Sequence, residues 1–330
     1  MIVYVGSYGS GISVFERDGA RLSLVDRVET PDPSFLALAP DRRTLYAVAE
    51  AVPPEVAAFA VDGPGVRPLH RQPAGGEAPC HLVVHPAGYL LAANYGGGSV
   101  AVFPIGPDGD LGPLADLARH AGQGADPERQ EAPHAHQVRL AGDLVVVVDL
   151  GLDRLLGYHL DPATGRLTAT PQPFASTKPG AGPRHAVAQP SGRWYVTTEL
   201  DSTVAVFEPD PGTGALRETA TVPATLSTVD ERNYPAELAL SPDGRRLYVA
   251  NRGADTLTTF EVAGDGGLTA IDEVPAGGSW PRHFALVDDF LFVANQRSDS
   301  VVSFALDPDG LPRPTGDVAH VGAPTCVLPA

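Results

Sequence analysis

The chain has 330 residues, of which 43% are hydrophobic and 19% charged, a balance that supports a sizeable core and argues against disorder. Its 36 glycines and 33 prolines exclude a long helical bundle or coiled coil, because both residues are costly inside helices. Acidic residues outnumber basic ones 40 to 23, for a net charge of −17. No nucleic-acid or membrane partner is expected of so acidic a chain, and an anionic ligand would need a few placed arginines to overcome the global field.

Taken in chain order, the sequence opens with MIVYVGSYGSG, which has neither the basic start nor the apolar stretch of a signal peptide. No apolar run approaches membrane-spanning length, the longest being Leu144 to Val148. The two cysteines, Cys80 and Cys326, form no metal-binding spacing and read as free thiols of a cytoplasmic protein. A proline followed by a short semi-apolar run then recurs along the chain. The copies start at Pro33, Pro79, Pro133, Pro183, Pro235, Pro281 and Pro324, at intervals of roughly 45–50 residues. After each of the first six comes a turn and a second apolar run: LYAVAE, LLAANY, LVVVVDL, WYVTTEL, LYVANR and LFVANQ. Third runs such as SVAVF from Ser99 and TVAVF from Thr203 follow in five units, and a weaker fourth run follows each. Short runs rich in Val, Leu, Tyr and Phe between Gly, Pro, Asp and Asn are strands and turns. No convincing amphipathic helix is present.

A unit of this length with four short antiparallel strands is one propeller blade. The N-terminal IVYVGSY, ISVF and LSLVDRV match second, third and fourth strands, and the C-terminal PTCVLP matches a first strand. The prediction is an all-β, seven-bladed propeller spanning 1–330 as one domain, closed where the last strand joins the N-terminal blade. Closure hides the edges that would otherwise pair with other chains; a monomer or weak homodimer is expected.

In a propeller the start of each first strand and the end of each second strand meet at one mouth of the central channel. The residues after the prolines include His81, His134, Arg184, His185, Glu237, Arg282 and His283, with His136 close by. The ends of the second strands supply Ser7, Glu50, Asn94, Asp149, Glu199, Asn251 and Asn295, with Arg252 adjacent. A turn centred on Ser191-Gly192 sets Arg184 opposite Glu199, and Arg282 falls opposite Asn295. Such an Arg–Glu pair places an anion-binding guanidinium and a carboxylate on one ligand. Plainer roles exist: Asn94, Asp149, Asn251 and Asn295 suit capping of tight turns, and Glu199 suits an ion pair with Arg184. No metal is expected at His134 and His136. NYGGGSV opens a strand rather than a helix and is no phosphate loop. Segments Arg119 to Ala132 and Leu226 to Tyr234 precede first strands and overlie the mouth as lids or partner loops.

NYGGGSV, PHAHQV, GAGPRH, SPDGRRLYVANRG and WPRHF, in this order, resemble the seven-bladed lactonase family. That family includes propeller-type 6-phosphogluconolactonases and fungal 3-carboxy-cis,cis-muconate lactonising enzymes. The resemblance covers essentially the whole chain and implies a cofactor-free enzyme that opens or closes a lactone at the channel mouth. It implies functional roles for His136, Arg184 and Glu199, with a further arginine that is either Arg282 or Arg252. The candidate catalytic set is therefore His136, Arg184, Glu199 and Arg282. His81, Asn94, His134, His185, Glu237, Asn251, Arg252, His283 and Asn295 are candidate substrate ligands. Hydrolysis of a sugar lactone, 6-phosphogluconolactone first, is the leading expectation, with a small anionic lactone or carboxylate as partner. The alternatives are a muconate-type cycloisomerase and a non-catalytic propeller that binds a small anion or a protein.

Overall fold

A computed structural model describes residues 1–210, 215–229 and 232–330. Seven antiparallel sheets follow one another around the chain. Numbered by their first strands, blades one to six begin at Leu36–Leu38, Pro79–His85, Ala135–Ala141, Pro183–Ala188, Tyr234–Leu240 and Pro281–Val287. Their second strands are Thr44–Ala49, Tyr89–Asn94, Leu144–Asp149, Trp194–Thr198, Arg246–Arg252 and Phe290–Asn295. In blade seven the C-terminal strand Pro324–Pro329 pairs with Ile2–Ser7, so the chain ends close the ring as expected. Blade three carries one strand more than the other blades, Ala175–Ser176. The only helical turn among the described residues is Gln296–Ser298, a 3₁₀ segment. No helix among them is long and apolar enough to cross a membrane.

The repeat reaches into the core. Each third strand puts an aromatic ring at an equivalent place: Phe15, Phe59, Phe103, Tyr158, Phe207, Phe260 and Phe304, all buried. These rings pack between adjacent sheets, in apolar clusters that each draw on two neighbouring blades. Alternating side chains of a sheet with both faces covered all find apolar neighbours, which is why these strands read as nearly continuous hydrophobic runs. Tyrosines of second strands tie blades together: the hydroxyls of Tyr46, Tyr195 and Tyr248 donate to the carbonyls of Gly109, Gly266 and Gly310 in the next blade.

One irregularity positions the site. The pairing of first with second strand slips by one residue just inside the channel mouth, between Pro79 and His81, Ala135 and Gln137, Pro183 and His185, and Pro281 and His283. Blade five slips between Pro235 and Leu238. Each slip is a β-bulge, which leaves one residue unpaired and re-aims it. The bulged residues of blades two, three, four and six are thus Cys80, His136, Arg184 and Arg282. This corrects two expectations. Arg184 is not the cross-strand partner of Glu199, although their side chains still meet, and Arg282 is not that of Asn295; Pro183 faces Thr198 and Pro281 faces Asn295. In blade three, Pro133 is not equivalent to the other prolines. Ala135 takes that place opposite Asp149, so His134 lies before the strand and His136 is the re-aimed residue.

The residue entering the first strand is left-handed at Asp32, Ala78, Gly182, Trp280 and Ala323, each directly before a proline. Its carbonyl accepts the amide of the residue just past the second strand, as in Glu50 to Asp32, Tyr95 to Ala78, Glu199 to Gly182 and Gln296 to Trp280. An L-residue resists this backbone conformation, and at Gly182 an added Cβ would also lie 2.5 Å from Leu200 Cγ. In these blades the constrained entry holds the first strand's start and the polar residue past the second strand in a fixed relation.

Candidate active site

Two layers of side chains therefore line the mouth. The outer layer follows the second strands: Tyr8, Glu50, Tyr95, Leu150, Glu199, Arg252 and Gln296. Just below it come the bulged residues, His136, Arg184 and Arg282 among them. Glu199 is the hub, and it lies one residue past the strand end at Thr198. Its Oε2 accepts from Arg252 Nη2 at 2.6 Å, and Arg184 Nε lies 3.2 Å away. Its Oε1 accepts from Arg129 Nη2 at 2.8 Å. Burial alone would raise the Glu199 pKa, but Arg252, Arg184 and Arg129 outweigh it and hold the carboxyl at about 2.

Arg184 is 2% exposed, and its Nε and Nη1 have no hydrogen-bond partner among the described residues. Burial and the repulsion of Arg252 lower its pKa to about 9, against the pull of Glu199. The His136 ring is buried too. Burial first, then the charge of Arg184, puts its pKa well below the ordinary imidazole value, so it is neutral near pH 7. Its Nδ1 also lacks a partner among the described residues. Arg282 contacts Gln296, at 3.4 Å from Nη1 to Oε1. Its guanidinium lies over the Tyr8 ring, 5.4 Å from the centroid. Tyr8 in turn donates to Glu50 Oε2 at 2.7 Å.

The remaining histidine candidates gather one layer deeper. His81 and His185 meet edge to face at 5.5 Å, His136 and His185 at 5.1 Å, and Phe35 packs on His81 at 4.0 Å. Glu237 Oε2 lies 2.9 Å from His185 Nδ1 and 3.2 Å from His283 Nε2. The Val327 amide donates to His283 Nδ1, which assigns the His283 proton to Nε2 and makes that nitrogen the donor to Glu237. His81, His185, Glu237 and His283 thus form a packed floor under the arginines. His134 sits at the side, stacked on Tyr95 at 4.4 Å and with Nδ1 on the Tyr95 carbonyl.

Asn94, Asn251 and Asn295 are fully buried, and their amides clasp neighbouring blades. Asn94 Nδ2 donates to the Ala74 carbonyl, Asn251 Nδ2 to that of Ala224, and Asn295 Nδ2 to that of Ala276. Asp149 plays the same part in blade three through His120 Nδ1 at 2.5 Å. Turn capping is the plainer expectation, and Asp149 does accept the Leu152 amide of its own turn; the three buried asparagines instead spend donors across the blade boundary, as buried amides must spend them somewhere.

Four polar residues of the site escaped the sequence reading: Arg129, Tyr8, Tyr95 and Gln296. The tyrosines carry a usable signal, since each directly follows the polar residue at equivalent positions Ser7 and Asn94, as Glu199, Arg252 and Gln296 follow Thr198, Asn251 and Asn295. Arg129 carries none. It lies in segment 119–132, which does overlie the mouth. Residues 230 and 231 of the other predicted loop lie outside the described residues.

A family model described as Lactonase, 7-bladed beta-propeller matches residues 2–329. The chain is 34% identical over 325 residues to a 6-phosphogluconolactonase of Bacillus subtilis, covering 93% of this chain and 92% of that one. It is 30% identical over 330 residues to a 6-phosphogluconolactonase of Formosa agariphila, covering 92% of each. Among solved structures, a periplasmic gluconolactonase of Pseudomonas aeruginosa matches with a TM-score of 0.91 at 32% identity, covering 99% of this chain and 98% of that one. The fold and these relatives define an enzyme of the lactonase class. The chain belongs to the seven-bladed β-propeller lactonase family.

Proposed function

We propose that this enzyme hydrolyses a sugar lactone carrying an anionic group, with 6-phosphogluconolactone as its substrate. The observation that carries the reading is the convergence of Arg129, Arg184 and Arg252 on one carboxylate, with Arg282 alongside, in a chain of net charge −17. Cations in excess at one buried point favour an anion there. The curated relatives named 6-phosphogluconolactonase support the choice of substrate.

A lactone carbonyl is an activated ester, so modest assistance suffices. Water attacks the carbonyl carbon and gives its proton to Glu199, which Arg252 holds in place. The carbonyl oxygen becomes an oxyanion beside Arg184, whose unpartnered Nη1 is a donor already in position. His136, kept neutral, donates to the same oxygen without adding charge next to Arg184. The ring C–O bond then breaks, and the departing ring oxygen recovers the proton from Glu199. The product is the open hydroxy acid. Arg282 and Gln296 hold hydroxyl oxygens of the sugar.

The test is 6-phosphogluconolactone hydrolysis at neutral pH with EDTA present, spontaneous opening subtracted, and Arg184→Ala alongside. Turnover above background that is lost in the variant supports the reading. No turnover on this or other sugar lactones, with activity on 3-carboxymuconate, would assign the site to cyclisation instead.

A further inference from the structure

The segment that bridges blades two and three is built around one half-buried arginine, Arg129. At its start the His120 amide donates to the Gly98 carbonyl, and the His120 ring is locked on Asp149. At its end Gln130, fully buried, donates from Nε2 to the Leu150 carbonyl and to Asp153 Oδ1, both at 2.7 Å. Gln130 Oε1 accepts the amides of Ala125 and Asp126 at 2.9 Å. Asp126 Oδ1 in turn accepts the amides of Glu128 and Arg129. A loop with its backbone groups so fully satisfied holds one conformation, and it delivers Arg129 to Glu199 Oε1 and, at 3.4 Å, to the Tyr95 hydroxyl.

Glu199 does not need this third cation. Arg252 and Arg184 already oppose its charge through Oε2, and both are buried, whereas the Arg129 side chain is 34% exposed. An incoming anion can therefore engage Arg129 without stripping Glu199 of its counter-charges. Arg282 is less free to turn to a dianionic group, because its guanidinium lies over the Tyr8 ring and contacts Gln296.

We propose that Arg129 selects the phosphate of the lactone: it holds Glu199 Oε1 in the free enzyme and passes to the phosphate of the bound substrate, leaving Oε1 to take the water proton. The inference rests on the lactonase reading above. The transfer exchanges one charge-assisted pair for another, and it returns basicity to Glu199 only when the phosphorylated substrate is in place. A neutral sugar lactone has no group to draw Arg129 away.

Wild type, Arg129→Ala and Arg129→Lys would be compared on 6-phosphogluconolactone and on unphosphorylated gluconolactone. The ratio of the two kcat/KM values is expected to fall on the order of 10²-fold in Arg129→Ala, the scale seen when one partner of a hydrogen-bonded charge pair is removed. Arg129→Lys should fall between, since a point charge replaces a planar fork. Calorimetry with the products supplies a second readout: Arg129→Ala should weaken 6-phosphogluconate binding far more than gluconate binding. A ratio that stays within about threefold of wild type, below the scale of a lost charge pair, overturns the proposal, as does unchanged affinity for 6-phosphogluconate. Wild-type enzyme that opens neither lactone overturns the lactonase reading itself, and this proposal with it.

Discussion

Replacing Glu199 by Gln tests the hub of the site through stability and turnover together. In the folded chain the carboxyl is held at about 2 against an ordinary value of 4.5, a difference worth about 3 kcal/mol. Because the folded-state value is the lower one, this stabilisation is complete above about pH 4.5 and is lost as pH falls through about 2. Glu199→Gln lacks it at every pH. The variant also leaves Arg252, Arg184 and Arg129 facing each other, although Arg184 can relieve the repulsion by losing its proton, its pKa standing already at about 9. A net loss of about 3–5 kcal/mol at pH 7 is expected, the range for breaking a buried ion pair from one side. Urea unfolding of both proteins from pH 7 down to pH 2 is the assay, with the gap between them narrowing below about pH 4.5. Turnover at pH 7 should fall on the order of 10²–10⁴-fold if Glu199 takes the water proton. A gap under about 1 kcal/mol at pH 7, or one that does not narrow on acidification, would refute the electrostatic account. Unchanged turnover would remove Glu199 from the chemistry.

The charge on Arg184 is present below about pH 9 and lost above it, so affinity for the product anion, followed by calorimetry from pH 7 to 10, should drop through that value; a flat profile would contradict the burial argument. Gln130→Ala removes four hydrogen bonds from a fully buried anchor and should cost about 3 kcal/mol. Limited proteolysis should then cut within residues 119–132, and intact digestion patterns would show that the segment is held by other contacts. Product anion at 100 times its Kd should raise stability by about 2.7 kcal/mol, read as a melting shift that sorbitol does not reproduce and that Arg184→Ala diminishes.

The blade repeat was legible because it is written in residue types with strong local meaning: prolines at strand starts, β-branched and aromatic runs, Gly and Asp at turns. Closure of the ring was legible for the same reason, since PTCVLP and IVYVGS are recognisable halves of one blade. The register at the mouth was not. A single bulged residue moves every partner along by one, and nothing in GAGPRH or WPRHF distinguishes a bulged arginine from a paired one. Pro133 misled in the same way, because it precedes the loop end and Ala135 starts the strand. Polar residues at second-strand ends mark one end of the blades, but two kinds are mixed there. Asn94, Asn251 and Asn295 clasp blades; the positions one residue further along, Glu199 and Arg252 among them, face each other across the mouth. Arg129 sits in a segment without periodicity, positioned by Gln130 and Asp126 through contacts no pattern encodes.

The overall charge and the local charge of this protein point in opposite directions, and distance decides which one a ligand meets. At physiological ionic strength the field of a surface carboxylate decays over about 8 Å, so most of the 40 acidic residues are screened from the mouth. Arg252, Arg129 and Arg184 act on Glu199 from 2.6, 2.8 and 3.2 Å, where little solvent intervenes. Burial first, and then repulsion among the arginines, lowers the pKa of Arg184 and Arg252, and one carboxylate cannot neutralise three guanidiniums. An anion bound beside them would relieve that repulsion. A ring of blades locked by buried aromatics and by the cross-blade clasps of Asn94, Asn251 and Asn295 holds these charges in place despite that local cost.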